Sequence, residues 1–180
     1  MMAMQRSADL WRRAGDLDLS LCMLFNRGVQ RRAVRRLFAL VSRLGNGVFW
    51  YALMAALPLT FGAAGVASAL HMALVGAVGV ALYRLMKGHI NRERPFVHNP
   101  QIRLGAMPLD RFSFPSGHTL HAVAFTIVAV SHHPLLATVL VPFALLVAAS
   151  RMVLGLHYPS DVAMGATVGA ALAAASLFLV

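Results

Sequence analysis

A single cysteine, Cys22, among 180 residues excludes an intramolecular disulfide and any zinc site built on several cysteines. Acidic residues are nearly as scarce: six Asp plus Glu stand against sixteen Lys plus Arg, and charged residues of both signs make up only 12% of the chain. A soluble domain carries about 25%, so an ordinary soluble domain is excluded. The first sixteen residues hold Arg6, Asp9, Arg12, Arg13 and Asp16 but lack an apolar core of signal-peptide length, and no cleaved signal is expected. What the chain has in abundance is apolar, at 59% hydrophobic residues, with its formal charge of +10 confined to the segments between the apolar runs. A nucleic-acid protein would carry such a charge, but no recognisable nucleic-acid motif accompanies it. A membrane protein is the better reading.

Crossing about 30 Å of hydrocarbon takes about 20 apolar residues as a helix. Residues 47–67 and 68–85 meet that length and read as a tight helical hairpin. A polar stretch, 84–113, follows, broken by Pro95, Pro100 and Pro108, and reads as a loop at the membrane surface. Apolar character returns over 119–130, 134–149 and 162–180, the first of these short. Residues 17–44 differ, because Leu37, Phe38, Leu40, Val41 and Leu44 alternate with Arg31, Arg32, Arg35, Arg36 and Arg43 at roughly helical spacing. That pattern predicts one interfacial helix, although a sixth span beginning near Asp18 stays open. The expected fold is an all-α integral-membrane bundle of five or six spans, divided into a basic interfacial segment, 1–46, and a transmembrane core, 47–180.

Ionisable groups at membrane depth are costly and default to function. Here they form three clusters. Lys87 and Arg94 are seven residues apart, two helical turns, so a helix continuing to Pro95 would carry both cations on one face. Pro115, Ser116, Gly117 and His118 stand before an apolar helix, where backbone N–H groups form an anion site. Ser116 adds a hydroxyl, Gly117 allows close approach, and His118 can donate a proton. Ser150 and Arg151 precede His157, Tyr158, Pro159, Ser160 and Asp161. Pro159 suits the first turn of the last helix, which puts Asp161 in that turn, able to hold the imidazole of His157. Each cluster has a plainer reading as lipid-facing cations, a helix cap or a capping carboxylate. Together they supply three cations, helix N-terminal amides, two histidines and one carboxylate, which fits phosphoryl transfer. Two-metal hydrolysis wants several converging carboxylates or imidazoles, and only Asp161 and Glu93 are expected near the clusters. Neither a metal nor another cofactor is expected.

At these residues the sequence resembles the membrane-bound type 2 phosphatidic acid phosphatases, related to vanadium haloperoxidases. Their signature is Lys, six residues, Arg-Pro; then Pro-Ser-Gly-His; then Ser-Arg, five residues, His, three residues, Asp. Lys87 with Arg94 and Pro95, residues 115–118, and Ser150, Arg151, His157 and Asp161 match it without a gap. The resemblance implies a metal-independent phosphatase in which His157 attacks phosphorus, Asp161 orients it and His118 protonates the leaving oxygen. Lys87, Arg94, Arg151, Ser116 and Gly117 would hold the phosphate. The implied substrates are lipid phosphates of the phosphatidic acid or phosphatidylglycerophosphate type, or polyprenyl diphosphates such as undecaprenyl diphosphate. A lipid-phosphate binder without turnover is the competing class. The implied location is a bacterial inner membrane.

Further expectations attach to single residues. His121, on the face of His118, and His89 are candidates for substrate contact; His71, His132 and His133 read as solvated loop ends. Arg103 and Arg111 are candidates for a second phosphate. Five spans put the motifs and the N-terminus on one face, which carries all sixteen Lys and Arg. The positive-inside rule puts that face in the cytoplasm, whereas many members of the resembled family work on the other side.

Overall fold

A computed structural model describes residues 2–179, with only the backbone of residues 2–8 and Trp11. The helices are α1 (Met2–Asn26), α2 (Arg32–Arg43), α3 (Phe49–Ile90), α4 (Pro95–His98), α5 (Gly117–His132), α6 (Ala137–Val153) and α7 (Pro159–Leu177); no strand occurs among the described residues. Three helical stretches of the described residues are long and apolar enough to cross a membrane, lying in 32–98, Pro134–Val153 and Pro159–Leu177.

The first of these reverses direction within α3. Gly62 has φ 57° and ψ −132°, a conformation open to glycine, and a Cβ placed on Gly65 would lie 2.0 Å from the carbonyl oxygen of Leu57. The hairpin turn therefore falls at Gly62, about five residues before the expected 67–68, because the apolar run continues unbroken through the turn. Residues before the turn run antiparallel to α6: Gly45 abuts Val147, the rings of Phe49 and Phe143 are 4.0 Å apart, and Phe61 stacks on His133 at 3.9 Å. Residues after it run antiparallel to α5, with Gly76 against Phe125 and His71 against His132.

Helices α5 and α7 run parallel and approach at their backbones. Gly165 and Gly169, one turn apart on one face, would place a Cβ 2.5 Å from Ser116 O and 2.4 Å from Leu120 O. Small residues permit this contact, which drives helix association where lipid is as apolar as the core. Ser116 N donates to Asp161 O at 3.0 Å, so the starts of the two helices are fastened together.

Two expectations need correction. Residues 17–44 are two helices, interrupted by a 3-10 turn at Arg27–Gln30. The face of α1 carrying Asp18, Cys22 and Asn26 is buried against the loops beside the motifs. This face, spaced at four residues, holds polar side chains, so a hydrophobic pattern could not reveal it. The histidines at the other end of the bundle are not solvated loop ends. His71 is 6% exposed and bonds His132 (3.1 Å) and Ser176 (2.9 Å), while His133 bonds Ser68 at 2.9 Å.

Candidate active site

The three motifs meet at one end of the bundle around a cavity of about 590 Å³. Lys87, Arg94, Gly117, His118, Arg151 and His157 line it. Its other wall is apolar, including Trp50, Met54, Val80 and Phe125.

The route by which Lys87 and Arg94 converge differs from the expected continuous helix. Helix α3 stops at Ile90, capped by Asn91 in the left-handed region, and Arg94 is extended ahead of α4. Both cations nevertheless reach one carboxylate, Asp110, through Lys87 Nζ–Oδ2 at 2.6 Å and Arg94 Nη2–Oδ1 at 2.7 Å. Burial raises the Asp110 carboxyl, but the ammonium and the guanidinium outweigh it and hold the group below the usual carboxylate range. Sequence reasoning missed Asp110, which lies in a loop 16 and 23 residues from the two cations it pairs with; its one visible signal was scarcity of acid. Glu93, by contrast, is exposed and does not line the cavity.

Arg151 is buried, at 2% exposure. Its Nη1 donates to Ser42 Oγ of α2, and its Nε has no partner among the described residues. A buried guanidinium without an anionic partner is costly, and this one faces the cavity.

His157 sits in the turn between α6 and α7. Arg94 Nη1 lies 3.3 Å from its Nε2. A guanidinium has only donors, so Nε2 presents a lone pair and the proton resides on Nδ1. Nδ1 faces Asp161 Oδ2 at 3.5 Å, which is ion-pair distance but not a formed hydrogen bond. Such contacts are often long before substrate binds. Burial, followed by the charges of Arg151, Arg94 and Lys87, holds the imidazole of His157 well below its ordinary pKa. It is therefore neutral, as a nucleophile must be.

Asp161, in the first turn of α7, both caps and faces the histidine. Oδ2 accepts the Tyr158 N–H at 2.9 Å, and Oδ1 accepts from Arg92 Nη1 at 2.7 Å. Ser116 is the N-cap of α5: its Oγ accepts the Thr119 N–H at 3.4 Å and bonds Thr119 Oγ1 at 2.9 Å, and it does not line the cavity. His121 does line it, with Nδ1 2.8 Å from Gly117 O. His89 is exposed and bonds Leu85 O at 2.8 Å. Arg103 and Arg111 are exposed and outside the cavity lining, while their loop neighbours Leu109, Asp110 and Phe112 are in it.

Known proteins share parts of this sequence and most of this fold. The chain is 35% identical over 99 residues to decaprenylphosphoryl-5-phosphoribose phosphatase of Mycobacterium tuberculosis, covering 54% of this chain and 52% of that protein. It is 34% identical over 73 residues to phosphatidylglycerophosphatase B of Escherichia coli, covering 38% and 29%. The chain thus spans about half, or less, of the length of these relatives. Its fold superposes on Aquifex aeolicus LpxE with a TM-score of 0.78 at 27% identity, covering 90% of this chain and 95% of that one. It also superposes on a transmembrane PAP2-type phosphatidylglycerolphosphate phosphatase from Bacillus subtilis, at 0.76 and 23% identity, over 93% and 86%. The model of the PAP2 superfamily matches residues 64–180, which contain all three motifs and every helix from the second arm of α3 onward, so this integral-membrane chain belongs to the PAP2 superfamily.

Proposed function

We propose that the protein is a metal-independent lipid phosphatase that works through a phosphohistidine at His157. The observation that carries this reading is the juxtaposition, in one cavity, of a neutral imidazole, whose Nε2 lone pair meets only a guanidinium N–H, with a buried guanidinium lacking an anion. His157 Nε2 attacks phosphorus, and the bond from phosphorus to the lipid oxygen breaks. That oxygen takes a proton from His118. Water then attacks phosphorus, giving its proton to His118; the phosphorus–nitrogen bond breaks, its electron pair returns to Nε2, and inorganic phosphate leaves. Lys87, Arg94, Arg151 and the backbone N–H of Gly117 stabilise the charge on the equatorial oxygens, while Ser116, whose N–H is held by Asp161 O and whose hydroxyl caps α5, fixes the start of that helix. Asp161 keeps the Nδ1 proton and stabilises the imidazolium-like phosphohistidine. No metal or cofactor takes part.

The substrate is a phosphate monoester or diphosphate lipid, of the phosphatidylglycerophosphate or polyprenyl type. The cavity's division into a cationic end and an apolar wall supports an amphiphile, as do the relatives' names. Five spans, at about 47–61, 63–90, 117–132, 137–153 and 159–177, are favoured by the antiparallel course along α6 and by a common site end. Residues 1–46 then form the interfacial segment beside the core, 47–180, in a bacterial inner membrane. The position of α1 against the site loops supports an N-terminus on the site face.

The test is trapping of acid-labile, base-stable phosphoprotein from labelled lipid phosphate in detergent with a chelator present. Phosphoprotein that disappears in His157→Gln is expected. Absence of both phosphoprotein and phosphate release from a panel of lipid monophosphates and diphosphates would overturn the reading in favour of a binder without turnover.

A further inference from the structure

Arg92 is two residues from Arg94 but does not line the cavity. Its guanidinium lies behind the histidine, between two buried carboxylates. Nη1 donates to Asp161 Oδ1 at 2.7 Å and to Ser160 Oγ at 2.6 Å, and Nη2 donates to Asp18 Oδ2 at 2.7 Å. The guanidinium carbon is 3.9 Å from the centre of the Tyr158 ring. Asp18, 8% exposed, comes from α1 and also accepts from Ser160, at 2.9 Å from its N–H and again from its hydroxyl. One guanidinium thus serves two carboxylates, the second of which is Asp161 at 0% exposure.

This arrangement fixes how Asp161 is turned. With Oδ1 held by Arg92 and Oδ2 holding the Tyr158 N–H, rotation about the bond to the carboxylate is blocked, and Oδ2 is the oxygen left facing His157 Nδ1. The Arg92 fork gives one nitrogen to each of two carboxylates, so Asp18 on Nη2 fixes the plane from which Nη1 holds Asp161 Oδ1, which a point charge would not do. Arg92 is fixed in turn by Asp18, and α1 lies outside the 64–180 match.

We infer that Arg92 is a positioning residue for the Asp161–His157 pair, and that α1 sets the turnover rate of the site by fixing Arg92 through Asp18. The inference rests on the proposed roles of Asp161 and His157.

The full chain in detergent tests it, with phosphate release, vanadate inhibition and ¹⁵N-imidazole spectra of His157. Arg92→Gln is expected to lower kcat about 100-fold and Asp18→Asn about 10-fold, with KM and vanadate inhibition within about threefold because the cation cradle is untouched. Arg92→Lys should recover part of the loss. In an Asp161→Asn background, Arg92→Gln should cost less than about threefold, since the shared interaction is already gone. The Nδ1–H tautomer of His157 should give way to a mixture in both Arg92→Gln and Asp18→Asn. If Arg92→Gln fails to fold, Asp18→Asn and Arg92→Lys carry the same readouts. A loss confined to KM or vanadate affinity, an equal cost in the Asp161→Asn background, or an unchanged tautomer would overturn the inference. Absence of turnover in the wild type would instead overturn the lipid-phosphatase reading, and the tautomer would still decide this one.

Discussion

Replacing Asp161 with Asn changes one atom and the charge, and the groups around the carboxylate set the cost. Both carboxylate oxygens accept from donors: Oδ1 from Arg92 Nη1 at 2.7 Å and Oδ2 from the Tyr158 N–H at 2.9 Å, with His157 Nδ1 at 3.5 Å from Oδ2. An amide NH₂ in either position therefore meets a donor. Turned toward Tyr158, it breaks the helix cap and faces Nδ1, which selects the wrong tautomer of His157. Turned toward Arg92, it opposes a guanidinium. The negative charge that offsets a phosphohistidine is lost in both cases. The carboxylate-to-amide change in a histidine triad lowers kcat by about 10⁴. Because Nδ1 and Oδ2 are farther apart here than a formed hydrogen bond, a loss of about 10³ is expected, or about 4 kcal/mol at the transition state. The cradle of Lys87, Arg94 and Arg151 is not touched, so vanadate should inhibit the variant as it does the parent. Single-turnover phosphate release at saturating lipid reads the chemical step directly. A single-turnover rate for Asp161→Asn within threefold of wild type would refute the orienting role.

Three further outcomes are expected. Because His157 is held neutral in the folded chain, the unfolded chain binds a proton near pH 6.5 that the folded one refuses. Stability is complete above that pH and falls below it, so thermal unfolding in detergent should shift to lower temperature from pH 7 to pH 5, and His157→Gln should weaken the shift; an unchanged shift would count against it. Turnover should survive EDTA and be blocked by vanadate, whose trigonal-bipyramidal form uses the same cations as the transition state; a strict Mg²⁺ requirement of the pure protein would sink this. With Cys22 replaced by Ala, cysteines introduced singly by Ser7→Cys and Gln101→Cys should both resist an impermeant reagent in intact cells, as the arginine distribution requires. Labelling of both would place the site outside the cytoplasm, and labelling of Gln101→Cys alone would argue for a sixth span.

The sequence alone determined the membrane character, the all-helical class and most, though not all, of the residues that converge: Ser116 was expected at the cavity and Asp110 was not. Composition decides solvent, and the helix starts at Gly117 and Pro159 were legible because glycine, serine and proline act locally on the backbone at those positions. Only the tertiary structure decided what the local pattern does not encode. The reversal at Gly62 is hidden in an apolar run, since lipid-facing and turn residues are equally apolar there. The inward face of α1 is polar, so Asp18 could not be told from a solvated surface acid. Asp110 and Arg92 acquire their roles from partners 16 to 74 residues away. Ion pairing between distant loops depends on where the chain brings them, and that is fixed by the packing of α5, α6 and α7 rather than by spacing along the chain.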